Sequence, residues 1–175
     1  MLVNYKKINK DAIEPTYGSE YAAGLDLYSA EDNYIDPGET IKIHTGISIE
    51  IPNGFFGAIY ARSGLAAKQG LRPANCVGII DADYRGELIV AMHNDSVMLR
   101  EIHKGDRIAQ IVIQPMETVV LNEVHELTDT KRGSGRFGST GVGKNEHKEC
   151  IFDYEEITLN DTINSMTGMF GDINV

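Results

Sequence analysis

Tryptophan is absent from this chain, cysteine occurs twice, and no apolar run approaches the about 18 residues that a membrane span requires. Cys76 and Cys150 follow no metal-ligand spacing, so neither a metal nor a disulfide staple is expected; Cys76 lies inside an apolar run and reads as a small buried thiol. No basic-then-apolar leader opens the sequence. These absences predict a soluble protein of a reducing, intracellular compartment, cytoplasmic or, in a eukaryotic cell or viral host, nuclear. Positive charge is also scarce. Against 26 Asp and Glu stand 16 Lys and Arg, a formal charge of −10, which argues against the basic face of general nucleic-acid binding. Seven of the acids lie in residues 142–175 with only Lys144 and Lys148 opposing them, a net of −5. The rest of the chain can therefore still focus positive potential on a small anion.

Long helical periodicity is missing too, and short period-two segments recur between turn signals. Leu25 and Leu27 alternate with Asp26 and Tyr28. Ile41 and Ile43, then Ile47, Ile49 and Ile51, run between a turn at residues 36–39 and a second at Pro52-Asn53-Gly54. A strand over 55–62 follows, then one helical turn over 65–69 stopped by Gly70. The apolar run 77–80, the turn cluster 81–86 and the apolar 88–90 read as a β-hairpin. Ile108, Ile111 and Ile113 mark a strand ahead of Pro115, and 119–127 gives the last. At 175 residues one domain is expected, all-β, closing as a jelly-roll-like barrel over 1–128. Residues 129–143, Gly-rich and poor in apolar side chains, form an arm that is mobile until something orders it. Residues 144–175 form an acidic extension.

Asp81 ends an apolar strand beside a tight turn, where a carboxylate held rigidly at a pocket can serve as a general base; an ordinary turn role for Asp81 and Asp83 is the alternative. Four further segments complement it: Ala23-Gly24-Leu25-Asp26-Leu27, Ala61-Arg62-Ser63-Gly64-Leu65-Ala66, Gly105-Asp106-Arg107-Ile108-Ala109-Gln110, and the arm from Arg132 to Gly143. Arg62, Arg132 and Arg136 bring forked donors, Ser63, Gln110, Ser139 and Thr140 bring neutral ones, and the glycines let backbone N–H groups approach closely. Such groups suit a polyphosphate.

These five segments, in this order, closely resemble the five motifs of the trimeric dUTP diphosphatases (dUTPases), over roughly residues 20–141. The resemblance implies a distorted jelly-roll homotrimer that hydrolyses dUTP to dUMP and pyrophosphate with Mg2+, keeping uracil out of DNA. By the same resemblance Asp81 activates the water that attacks the α-phosphorus. Tyr84 lies under the deoxyribose and excludes a 2′-hydroxyl, while Asn75, Gly78 and Ile80 belong to the stretch that pairs with uracil. Arg62, Ser63, Gly64 and Gln110 contact phosphates, and Asp26 meets the metal through water only. In the arm, Arg132 holds the γ-phosphate, Phe137 stacks over uracil, and Gly138, Ser139 and Thr140 add phosphate donors. Arg136 stands where the family usually has glycine, which implies a further phosphate contact or a different closure.

Two other readings accompany this one. A dCTP deaminase, alone or bifunctional, uses the same fold and needs a glutamate near the base, for which Glu87 is the only acid on the returning strand. A non-catalytic nucleotide sensor would have no need of Asp81. For 144–175, packing on the trimer, binding a protein partner and a disordered end all stay open.

Overall fold

The computed structural model describes residues 1–137 and residue 139. Among them the regular structure belongs to one compact unit, Met1–Asn122. In chain order its elements are β1 (Asn4–Lys7), β2 (Thr16–Tyr17), β3 (Leu25–Tyr28), β4 (Asn33–Ile35), β5 (Thr40–Glu50), β6 (Phe55–Tyr60), α1 (Ser63–Gln69), β7 (Leu71–Pro73), β8 (Gly78–Ile80), β9 (Glu87–Asn94), β10 (Arg100–Ile102) and β11 (Arg107–Pro115). The expected β character holds, with one short helix. Gly70 ends that helix with φ at 69°, a left-handed cap that glycine adopts without strain. No helix among the described residues is long and apolar enough to cross a membrane.

Every ladder is antiparallel. One sheet has the order β1-β5-β9-β7, a second β2-β3-β11-β6-β8, and β10 pairs with β4 as a ribbon. Alternation sends one set of side chains inward: Leu27 from β3, Ile43 and Ile47 from β5, Leu88 and Met92 from β9, and Ile111 from β11 join one buried cluster. Each such side chain contributes about 1.5–3 kcal/mol by leaving water.

β5 carries an irregularity that matters to the site. His44 pairs with Ile89 and Ser48 with Glu87, so Thr45, Gly46 and Ile47 oppose Leu88 alone. Two extra residues preserve the parity of the strand, and Ile47 and Ile49 return to the core face of Ile43. Gly46 has φ at 69°, and a Cβ there would sit 2.7 Å from that of Ala12, so no side chain fits.

Three local expectations are corrected. Residues 77–90 do not form a hairpin: β8 pairs with β6 in the five-stranded sheet and β9 pairs with β5 and β7 in the other. Each apolar strand pairs with an earlier strand instead of with the other, and loop 81–86 crosses between sheets. Residues 119–127 form no strand. Val119, Val120 and Leu121 are 72%, 93% and 92% exposed, because alternation without a ladder partner does not make a strand. Cys76 is exposed with φ at 61°, since residues 74–77 turn before β8 begins and the Cys76 N–H donates to the Pro73 carbonyl at 3.1 Å.

The second unit, Glu123–Val175, is a run of bends and turns over its described residues. The Gly133 N–H donates to the Thr130 carbonyl, that of Gly135 to Arg132, and that of Ser139 to Arg136, each at 3.0 Å.

Candidate active site

Two groups of residues in the first unit have the chemistry expected of a nucleotide site. The first is built on β3, β11 and the end of β6. Gln110 of β11 stands opposite Asp26 of β3 on one side and Tyr60 of β6 on the other, so one row across three strands carries the polar side chains. Gln110 Nε2 donates to the Ala61 carbonyl at 3.0 Å. Next along the chain, Arg62 donates from Nε to Asp26 Oδ1 at 2.9 Å and from Nη1 to the Arg107 carbonyl at 3.2 Å. Arg107 Nη1 donates to the other oxygen, Oδ2, at 3.2 Å. Asp26 is buried, and the two guanidinium groups compensate its charge where water cannot. Arg62, Arg107, Asp106 and Glu101 line a depression of about 250 Å³. Ser63 and Gly64, at the start of α1, are exposed.

Arg107 was not among the residues singled out from the sequence. It reaches Asp26 through a bulge: Arg107 pairs with Tyr28 and Ala109 with Leu27, leaving Ile108 as the extra residue. Ile108 thereby turns into the core at 1% exposure while Arg107 moves onto the face of Asp26 and Gln110. The only sequence signal was its place directly after the Gly105-Asp106 turn.

The second group surrounds the loop between the sheets. Ile79, Ile80, Asp81, Tyr84, Glu87 and Ile89 line a pocket of about 160 Å³. The Asp81 carboxylate is exposed, and its carbonyl accepts the Tyr84 N–H at 3.1 Å, closing the turn. Tyr84 folds back across Gly86, where any side chain would overlap the phenol, and its hydroxyl donates to the Glu87 carbonyl at 2.9 Å. Glycine at 86 is thus required by the ring of Tyr84. β8 is the edge strand of its sheet. Its outer side offers backbone N–H and C=O groups in strand geometry from Gly78 to Ile80, with the exposed Asn75 on the approach.

The fold does not join the two groups within one chain. Ile80 pairs with Gly57, which sets Asp81 level with Phe56, six residues short of Arg62. At about 3.3 Å per residue that is about 20 Å. The pocket at Asp81 and the depression at Arg62 share no lining residue. In the second unit Arg132, Arg136, Phe137 and Ser139 are exposed, Phe137 completely. Gly138, Thr140 and the extension 144–175 lie outside the described residues. Among the described residues no group of three or more His, Cys, Asp or Glu side chains gathers as a metal site.

Comparison with known proteins matches both groups to one family. The dUTPase family model matches residues 10–141. A deoxyuridine 5'-triphosphate nucleotidohydrolase from Nautilia profundicola is 49% identical over 141 residues, covering 81% of this chain and 99% of its own. One from Paramecium bursaria Chlorella virus 1 is 47% identical over 137 residues, covering 78% and 96%. Among solved structures, a mutant dUTPase of Staphylococcus bacteriophage 80alpha with dUpNHpp superposes with a TM-score of 0.77 at 31% identity, over 81% of this chain and 99% of that one. A mutant dUTPase from phage phi11 of S. aureus, described as revealing the coordination of a structural Mg(II) ion, gives 0.69 at 26% identity, over 74% and 100%. The chain belongs to the dUTPase family.

Proposed function

We propose that this chain hydrolyses dUTP to dUMP and pyrophosphate in the intracellular nucleotide pool, with Asp81 taking the proton of the water that attacks the α-phosphorus. The observation that carries the reading is the pairing of an exposed carboxylate with an unpaired strand edge and a phenol in the Asp81 pocket. Uracil lies along β8 from Gly78 to Ile80 with Asn75 beside it, its carbonyls and N–H meeting backbone as a neighbouring strand would. Close backbone there leaves no space for the C5 methyl of thymine and mispairs cytosine. Tyr84 packs under the deoxyribose. A 2′-hydroxyl forced against its ring unpaired would cost about 1 to 3 kcal/mol.

The triphosphate belongs on the other group, with Arg62, Ser63, Gly64 and Gln110 as donors, and Arg132, Arg136, Phe137, Gly138, Ser139 and Thr140 closing from the arm at 129–143. Asp26 suits Mg2+ through the ion's waters. Each of its oxygens already accepts from an arginine, and the two guanidinium charges beside it oppose a dication in direct contact, so an ion that keeps several of its waters suits the site better. When bound, the ion neutralises phosphate charge; this chain's part is to hold Asp26 in place with Arg62 and Arg107.

A site split by about 20 Å along β6 favours a jelly-roll homotrimer in which different subunits supply the Asp81 loop, the Asp26–Arg62 cluster and the arm. The exposed Val119, Val120 and Leu121 are further apolar surface that a neighbouring subunit would cover. The deaminase reading is weakened by Glu87, whose two carboxylate oxygens are already engaged by His44 and by the Gly46 N–H.

Incubation with dUTP, dCTP and dTTP plus Mg2+ is expected to release pyrophosphate from dUTP alone and no ammonia from any. Ammonia from dCTP would replace this function with deamination. Tyr84→Ala should narrow the kcat/KM ratio between dUTP and UTP by about tenfold, the size of an unpaired hydroxyl; an unchanged ratio removes Tyr84 as the sugar gate. A chain stopped after Gly143 should keep its activity, whereas equal inactivity of this chain and one stopped after Thr128 would give the extension a part in the trimer or the site.

A further inference from the structure

The bulge of β5 reaches the loop that bears Asp81 and Tyr84. Thr45, Gly46 and Ile47 oppose a single residue, so the ladder leaves the Gly46 N–H without a strand partner. Glu87, the first residue after the loop, takes it: Oε1 accepts the Gly46 N–H at 2.7 Å, and Oε2 lies 2.8 Å from His44 Nδ1. Neighbouring bonds run the same way. Thr45 Oγ1 donates to the Leu88 carbonyl and Ser48 Oγ to the Arg85 carbonyl, each at 2.6 Å. On its other side the backbone carbonyl of Glu87 receives the Tyr84 hydroxyl at 2.9 Å. One residue therefore holds the bulge with its side chain and the Tyr84 ring with its main chain.

We propose that Glu87, oriented by His44, is a positioning residue that sets where Tyr84 stands in the pocket and so tunes discrimination between deoxyribose and ribose, with His44 making that discrimination pH-dependent. This rests on Tyr84 being the sugar gate. The Glu87 side chain is 19% exposed, sheltered enough for its bonds to matter, while His44 at 48% remains open to solvent protons. The charged groups facing His44 are Glu87 of β9 and Glu31 of the β3–β4 turn, whose Oε1 accepts the His44 backbone N–H at 3.2 Å. The hydrogen bond to Glu87 holds the imidazole pKa above its ordinary value, the two negative charges add to this, and burial opposes it. A raised pKa means that the charged pair is complete below the ordinary histidine value and is lost as pH rises through the raised one. Above that point a neutral imidazole leaves a bond of roughly half the strength.

The test is the ratio of kcat/KM for dUTP to that for UTP, measured from pH 6 to 9. Ionisation of the phosphates acts on both substrates and cancels in the ratio. In the wild-type protein the ratio should fall by about threefold across that range, the size of exchanging a charge-assisted bond for a neutral one. His44→Gln, which keeps an N–H donor but does not titrate, should give a lower and flat ratio. Glu87→Gln keeps an oxygen for the Gly46 N–H and should behave the same way. Ile35→Val, a core change that lowers Tm without touching the loop, should leave the ratio at the wild-type value. If Tyr84→Ala narrows the ratio while His44→Gln and Glu87→Gln keep the wild-type value and pH profile, the positioning role is wrong. If Tyr84→Ala has no effect, the sugar-gate reading fails and this role with it.

Discussion

Asp81→Asn is expected to lower kcat for dUTP by about 100- to 10,000-fold, the usual cost of losing a general base, with dUTP binding close to that of the unchanged protein. The amide has the size of the carboxylate and can still accept a hydrogen bond, but it cannot take a proton from water. Asp81 is exposed at the end of β8, and its carbonyl already closes the turn with Tyr84, so the substitution touches neither the ladder nor the core. Stability should therefore change little. Pyrophosphate release gives kcat, and calorimetry with a non-hydrolysable dUTP analogue gives binding. Turnover near the wild-type rate would take Asp81 out of the mechanism; lost binding with unchanged turnover of bound substrate would make it a ligand contact only.

The second large effect is a recovery. Asp81→Asn and a chain stopped after Thr128 should each be nearly inactive alone. Unfolded together in equal amounts and refolded, they should regain about one quarter of wild-type activity, since in a random mixed trimer half the sites receive an intact Asp81 and half of those an intact arm from a different subunit. A division of the same kind, for the Arg62 cluster, is suggested by β6. Asp81 is level with Phe56 while Arg62 lies about 20 Å further along, more than the hydrogen-bond reach within which a general base must meet its water and its phosphate. One chain cannot bring its own Asp81 to its own Arg62 without breaking the β6–β8 ladder. A mixture as inactive as its components, with mixed trimers verified by native mass spectrometry, would mean that the loop and the arm act within one chain.

Much of this protein is legible before any fold is known. The alternation of Leu25 and Leu27, of Ile41 to Ile51, and of Ile108 to Ile113 places β3, β5 and β11, because strand periodicity is local. Gly70 marks the end of α1 because only its own dihedral angle is at issue. Asp26, Arg62, Asp81, Tyr84 and Gln110 could be picked out because their chemistry sits within short ordered segments. What the sequence left undecided concerns partners. That β8 and β9 would separate into different sheets, carrying loop 81–86 between them, depends on β6 and β5, which lie well before them in the chain. The bulge that turns Ile108 inward and Arg107 onto Asp26 exists only against β3, and Glu87 meets His44 only through the bulge of β5. Residues 119–127 have strand periodicity and no strand, since among the described residues they pair with no edge and periodicity alone makes no ladder. Periodicity and residue chemistry are properties of neighbours in the chain, whereas register, bulges and ion pairs are settled by which distant segments compete successfully for the same hydrogen bonds.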